Sequence, residues 1–75
     1  MTGYIVYNNH LNAYVSRVEN HCNAYDKDIK KAYVFQDFEE AKGIVDEIYW
    51  RTPYIAVVEE LPEQRIVYRY KEGRG

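Results

Sequence analysis

The sequence predicts an α+β domain in which an antiparallel sheet of four or five strands carries one helix on one face. Three observations lead to this prediction. Short runs rich in β-branched and aromatic residues lie in both halves of the chain. A single stretch between them repeats apolar residues at helical spacing. Short polar breaks divide the runs into pairs, as in hairpins. The predicted element order is β-β-(β)-α-β-β.

Composition limits the classes of protein to consider. The chain has 75 residues, 47% hydrophobic and 29% charged, which indicates a single globular domain over residues 1–75. The formal net charge is −2, with acidic and basic residues intermixed, and this disfavours electrostatically driven nucleic-acid binding. Cys22 is the only cysteine, so no intrachain disulfide can form. With no apolar run of membrane-spanning length and no signal-peptide pattern, we expect a cytoplasmic protein that does not enter a membrane.

The first elements form a predicted hairpin. "GYIVYN" at residues 3–8 and "AYVSRV" at 13–18 are typical of strands, and "NHLN" at 9–12 is a turn between them. Residues 19–32 are polar and lack a clear period, so they predict a long loop with a turn of helix near 26–31. A loop of this length is uncommon in a compact domain and indicates a function. "YVF" at 33–35 predicts a short additional strand.

The clearest element is the helix in "DFEEAKGIVDEIYW". Asp37 is a suitable N-cap, and Glu40 completes a variant of the capping-box pattern. Gly43 lies off the apolar stripe and costs about 1 kcal/mol relative to Ala. Pro53 is expected to follow the end of the helix. The apolar stripe comprises Phe38, Ala41, Ile44, Val45 and Ile48.

The last two runs, "YIAVVEE" and "RIVYRY", predict a second hairpin joined by the four residues "LPEQ". Residues 71–75 are predicted to form a flexible tail. A four-residue loop places Val58 opposite Val67 and Ala56 opposite Arg69. Because side chains alternate between the faces of a strand, Ile55, Val57, Ile66, Tyr68 and Tyr70 are expected beneath the helix. The other face then carries Tyr54, Ala56, Val58, Glu60, Arg65, Val67 and Arg69.

That second face is the candidate interaction surface. The sequence offers no second helix to cover it, although it carries apolar residues, and an exposed apolar patch rimmed by charge is typical of a protein-interaction site. We therefore expect a protein partner, or a homodimer formed through this face. The candidate partner-binding residues are Tyr54, Val58, Arg65, Val67 and Arg69.

Motifs for chemistry are weak. His21 and Cys22 are adjacent rather than spaced as zinc ligands, and Lys30 occupies the third ligand position of an EF-hand that would begin at Asp26. Cys22 could act as a nucleophile with His10 or His21, but no feature marks the thiol as activated, and a half-buried free thiol is the simpler interpretation. No nucleotide-binding or nucleophile-elbow motif occurs. We predict no metal, no cofactor and no enzymatic activity.

The alternative function is weak nucleic-acid binding through the basic C-terminal strand and tail. Its candidate residues are Arg65, Arg69, Lys71 and Arg74. A four-stranded sheet with exposed aromatics resembles the RRM fold, but that module requires a second helix and an RNP1 motif, and the sequence contains neither. A protein partner is therefore the favoured interpretation.

Two stretches, "YIVYNNHLNAYVS" and "KAYVFQDFEEAKGIVDEI", resemble small open reading frames of bacteriophages and mobile elements. The resemblance covers about two thirds of the chain and implies a small viral accessory protein. Such a protein would bind a host protein, such as a defence or regulatory factor, in the host cytoplasm and inhibit or redirect it. The matching positions are structural, and no functional residue is implied. They are Asn9, Ala13, Tyr14, Ala32, Phe35, Asp37, Glu39, Glu40 and Ala41.

Overall fold

The computed structural model describes residues 3–19, 22–48, 52–60 and 63–70. Its strands are β1 (Gly3–Asn8), β2 (Ala13–Glu19), β3 (Cys22–Asp26), β4 (Pro53–Glu60) and β5 (Glu63–Arg69), and its α-helix is α1 (Phe38–Glu47). The strands form one sheet in the order β3-β2-β1-β4-β5, and all neighbouring strands are antiparallel. The predicted α+β class, with a helix between the third and fourth strands, is confirmed.

The predicted helix start is also confirmed. The Asp37 side chain accepts a hydrogen bond from the backbone N–H of Glu39 at 3.1 Å, which satisfies one of the unpaired donors at the helix N-terminus. The apolar stripe of α1 packs on one face of the sheet. The buried cluster between them comprises Val6, Val15, Phe35, Ala41, Val45, Ile48 and Ile55.

The predicted long loop at 19–32 is interrupted by a strand. Cys22–Asp26 pairs with β2, and Val15 lies opposite Tyr25. The strand was missed because Tyr25 is the one residue of "CNAYD" with a high strand propensity, and the pairing comes from β2 rather than from intrinsic preference. The expected turn of helix is confirmed at Ile29–Lys31, where the Asp28 side chain accepts a hydrogen bond from the Lys30 backbone N–H at 2.9 Å.

Residues 33–35 do not form the predicted strand. Phe35 makes an isolated bridge to β1, in which its N–H donates to the Tyr4 carbonyl at 2.7 Å and its carbonyl accepts from the Tyr4 N–H at 2.8 Å. On the other side, the Tyr33 N–H donates to the Val15 carbonyl of β2 at 2.9 Å. Residues 33–35 therefore lie between β1 and β2.

This insertion is possible because β1 and β2 diverge. They pair at Tyr7↔Tyr14 and Asn8↔Ala13, next to the turn that joins them. Residues 29–32 lie on one face of the sheet and α1 lies on the other. The chain therefore passes from face to face through the gap between the two strands.

The expectation that nothing covers the second face is wrong for part of that face. Ile29 and Ala32 pack against a second buried cluster formed by Ile5, Ala56 and Val58. Apolar residues of one short segment are enough to cover the middle of a small sheet, and the sequence pattern of a loop does not reveal this. The tyrosines at the edge of this cluster, Tyr14 and Tyr54, are only partly buried.

The predicted register of the second hairpin is wrong. Glu60 lies opposite Glu63, so two residues rather than four connect β4 to β5. Ala56 lies opposite Ile66, and the register shifts beside Ile55, which leaves Val67 without a partner across the ladder. An extra residue in one strand reverses the face of the residues beyond it. Ile66 was predicted beneath the helix but lies on the face of Ala56. Arg65, opposite Val57, lies on the helix face.

Candidate functional site

A row of aromatic side chains crosses the second face of the sheet. Tyr7 of β1 lies directly opposite Tyr14 of β2 and Tyr54 of β4, and Tyr54 lies opposite Arg69 of β5. Directly opposed residues in antiparallel strands share a face and are in contact. We call these four residues, Tyr7, Tyr14, Tyr54 and Arg69, the tyrosine face.

The members of the tyrosine face contact one another closely. The Tyr7 ring centroid lies 4.8 Å from that of Tyr14 and 5.1 Å from that of Tyr54. The Arg69 Cζ atom lies 5.3 Å from the centre of the Tyr54 ring, in a cation–π contact. The four side chains form one continuous row across the sheet.

Hydrogen bonds fix two of the three tyrosines. The Tyr7 hydroxyl donates to Asn12 Oδ1 at 3.3 Å, and the Tyr14 hydroxyl accepts from Gln64 Nε2 at 2.9 Å. Burial raises the pKa of the Tyr54 phenol above its ordinary value, Tyr14 and Tyr7 raise that pKa further, and Arg69 opposes these effects. The Tyr54 phenol is therefore uncharged at neutral pH, beside the Arg69 guanidinium.

The ring orientations determine what this surface can bind. The Tyr7 and Tyr14 planes are inclined at 61°, and those of Tyr7 and Tyr54 at 39°. The three rings therefore do not lie in one plane and do not form a flat surface. Base stacking needs open ring faces, whereas a protein partner can pack against ring edges and hydroxyls.

The predicted partner-binding residues separate into different environments. Tyr54 and Arg69 are in contact on the second face. Val58 shares that face but is only 6% exposed, beneath Ile29 and Ala32. Arg65 lies on the helix face, and Val67 is 39% exposed at the register shift. The structure therefore brings together two of the five predicted residues, and a role in binding remains a prediction for all five.

Sequence reasoning missed Tyr7 and Tyr14 as site residues. A four-residue turn at 9–12 places Asn8 opposite Ala13 and hence Tyr7 opposite Tyr14, so this half of the row could have been found. The pairing of β1 with β4 joins residues 45 to 55 positions apart, from Asn8↔Pro53 to Gly3↔Val58, and no local pattern predicts it.

A shallow cleft lies at the Arg69 end of the tyrosine face. Its volume is about 170 Å³, and its walls are Asn9, Thr52, Pro53, Arg69 and Tyr70. Thr52 Oγ1 donates a hydrogen bond to Asn9 Oδ1, which ties the β1–β2 turn to the start of β4. Thr52 has a φ of 51°, a conformation that costs a β-branched residue free energy.

Asn8 provides a buried polar group beside this cleft. It is fully buried and lies opposite Pro53, one of the cleft walls. Its Oδ1 accepts from the His10 backbone N–H at 2.9 Å, but its Nδ2 finds no acceptor within the described part of the chain. The corner where the first turn meets β4 is therefore locally strained and polar.

Other candidate sites have ordinary structural roles or lie outside the described ranges. Asp26 accepts a hydrogen bond from the Asp28 backbone N–H at 2.8 Å, as in a turn. Among residues 3–19, 22–48, 52–60 and 63–70, no group of three or more His, Cys, Asp or Glu side chains could hold a metal ion. The same residues include no helix long and apolar enough to cross a membrane. His21, the Cys22 side chain and the tail with Lys71 and Arg74 lie outside the description.

Comparison with known proteins finds no match: no family model, no curated protein and no solved structure is significantly similar to this chain.

Proposed function

We propose that this chain is a non-enzymatic protein-binding module that contacts its partner through the tyrosine face. The observation that carries the proposal is the continuous row of Tyr14, Tyr7, Tyr54 and Arg69 across four strands. Tyrosine and arginine are enriched among the residues that dominate binding energy at protein interfaces. Tyrosine offers a large contact area and a hydroxyl at a small cost in side-chain entropy.

The order of the row supports this proposal. Cross-strand contacts and hydrogen bonds hold the rings in place before a partner arrives. Such preorganisation reduces the entropy lost on binding. Ile66 lies at the edge of the same face and is 40% exposed, which extends the apolar area toward β5.

The geometry gives less support to nucleic-acid binding. Arg65 and Arg69 belong to the same strand but lie on opposite faces of the sheet, so they cannot contact one phosphate backbone together. The tilted rings of the tyrosine face offer limited area for stacking bases.

The proposed partner is a protein of the host cell. The resemblance to bacteriophage and mobile-element reading frames supports this part of the proposal, because such accessory proteins act by binding host proteins. In this proposal the chain inhibits or redirects its partner by occupying a surface of that protein, and it uses no catalytic group of its own.

Affinity capture from host lysate tests the proposal with two tyrosine variants. Tyr7→Ala removes the centre of the tyrosine face. Tyr33→Ala is the matched control, because Tyr33 is exposed and contacts Phe35 away from that face. We expect the wild-type chain and Tyr33→Ala to capture the same protein, and Tyr7→Ala to lose it. With the captured protein purified, truncation of Tyr7 should weaken binding by about 2 kcal/mol, or roughly 30-fold.

Equal affinity of the two variants for the purified partner would refute the role of the tyrosine face. Circular dichroism and thermal unfolding of each variant establish that lost capture does not arise from lost folding.

A gel-shift assay at low salt tests the alternative function. Salt-sensitive retardation that Arg69→Ala weakens would favour nucleic acid over a protein partner.

A further inference from the structure

We infer that the cleft bounded by Asn9, Thr52 and Arg69 binds a carboxylate group. The cleft has a volume of about 170 Å³, enough for a group of this size, and it opens beside the tyrosine face. The cationic residue among those that line it is Arg69, whose planar set of guanidinium donors matches the two oxygens of a carboxylate.

Arg69 is positioned for this role. Its guanidinium lies against the Tyr54 ring, 5.3 Å from the ring centre, and this contact restricts the side chain without using its outer N–H donors. Within the described residues, no carboxylate forms an ion pair with Arg69, although Arg17 and Lys42 each have one. The charge of Arg69 is therefore available to a ligand.

Two other lining residues, Asn9 and Thr52, supply polar groups in a fixed arrangement. Asn9 and Thr52 are joined by a side-chain hydrogen bond, although they are 43 positions apart in sequence. Thr52 holds a positive φ of 51°. Backbone strain of this kind occurs preferentially at functional sites. The bond to Asn9 holds Thr52 in position at the mouth of the cleft.

The charge of the cleft favours a monovalent anion over phosphate. Arg69 is the single cation among the described residues that line it. Arg65, the nearest arginine in sequence, lies on the helix face. Phosphate and phosphoryl groups are usually held by several cations or by a series of backbone N–H groups, whereas one bidentate arginine balances one carboxylate.

The position of the cleft identifies the source of the carboxylate. Because Arg69 belongs to both the cleft and the tyrosine face, a protein lying on that face would place an acidic side chain at the cleft. In this respect the inference rests on the proposed function, and it specifies an acidic residue in the partner's binding segment.

NMR titration of the isotopically labelled full chain tests the cleft without any partner. The probes are sodium acetate, inorganic phosphate and sodium chloride at matched ionic strength. We expect acetate to cause saturable shifts at the Asn9, Thr52 and Arg69 amides and at the Arg69 Nε–H. Acetate should bind about tenfold more weakly to Arg69→Gln, the size expected for loss of one charged hydrogen-bond pair. Arg65→Gln is the matched control and should bind acetate as the wild type does.

The possible results are distinct. Shifts that map elsewhere, that do not saturate, or that are equal in Arg69→Gln would overturn the inference. Phosphate binding tighter than acetate would overturn the choice of a monovalent anion. The amide spectrum of Arg69→Gln shows directly whether that variant is folded. If acetate binds as expected but no host protein is captured, the proposed function fails and the carboxylate site stands.

Discussion

Replacement of Gly43 by alanine should stabilise the domain. Gly43 lies inside α1 on its exposed side, and a Cβ atom added there meets no atom within 4 Å. The substitution therefore gains the helix propensity of alanine and reduces the entropy of the unfolded chain without any steric cost. These effects give about 0.8–1 kcal/mol in the free energy of unfolding. For a domain of this size, that gain corresponds to a rise of about 4–8 °C in Tm.

Gly3→Ala provides the opposite case with the same chemical change. A Cβ at Gly3 would clash with Val34 Cγ1 and lie 3.4 Å from the Phe35 carbonyl oxygen, because residues 33–35 run directly beside β1. Val34 would have to leave its rotamer and the crossing segment would have to shift, which should destabilise the domain by about 1–2 kcal/mol.

Urea unfolding followed by circular dichroism measures both variants against the wild type. The midpoint should rise for Gly43→Ala and fall for Gly3→Ala, with unchanged slopes. A destabilised Gly43→Ala would show that the exposed side of α1 makes contacts that the structure does not contain. A neutral or stabilised Gly3→Ala would refute the close packing of residues 33–35 on β1.

The remaining predictions concern the helix cap, alkaline pH and self-association. Asp37→Ala should destabilise the domain by about 1 kcal/mol because the Glu39 N–H loses its acceptor. Asp37→Asn should destabilise it less, because asparagine is also a good N-cap. Urea unfolding distinguishes the two variants. Burial raises the folded-state pKa of the Tyr54 phenol. The neutral phenol therefore makes its full contribution to stability below the unfolded-state pKa. That contribution is lost as pH rises through the folded-state pKa. Stability measured at increasing alkaline pH should fall less steeply in Tyr54→Phe, and an unchanged slope would contradict the burial of this phenol. Sedimentation tests the homodimer expected from the uncovered face: a strict monomer at high micromolar concentration would exclude it.

Local sequence signals predicted most of the secondary structure. Asp37 and the apolar stripe after it located α1, and alternating β-branched and aromatic residues located β1, β2 and β4. These elements have strong intrinsic preferences and need little help from their neighbours. The strand Cys22–Asp26 was not predicted, because it depends on the edge of β2 for its hydrogen bonds.

The candidate site was harder to predict because it depends on register. Val67 has no partner across the ladder. Because of this one residue, Arg65 lies on the opposite face of the sheet from Arg69. Ile66 lies on the face that was predicted for Arg65 and Val67. Nothing in the alternation of "RIVYRY" marks this irregularity. The prediction that Tyr54 and Arg69 share one face of the sheet is confirmed, whereas the contact of Tyr54 with Tyr7 required the pairing of β1 with β4.

The passage of residues 33–35 between β1 and β2 has a consequence for protein engineering. The Tyr33 backbone is hydrogen-bonded to β2, the Phe35 backbone is hydrogen-bonded to β1, and Asp37 caps the N-terminus of α1. These three attachments fix the number of residues between them. A residue inserted or deleted here would break at least one of them. Circular permutants and fusion sites should therefore avoid this segment, even though its exposed Val34 makes it look like an ordinary surface loop.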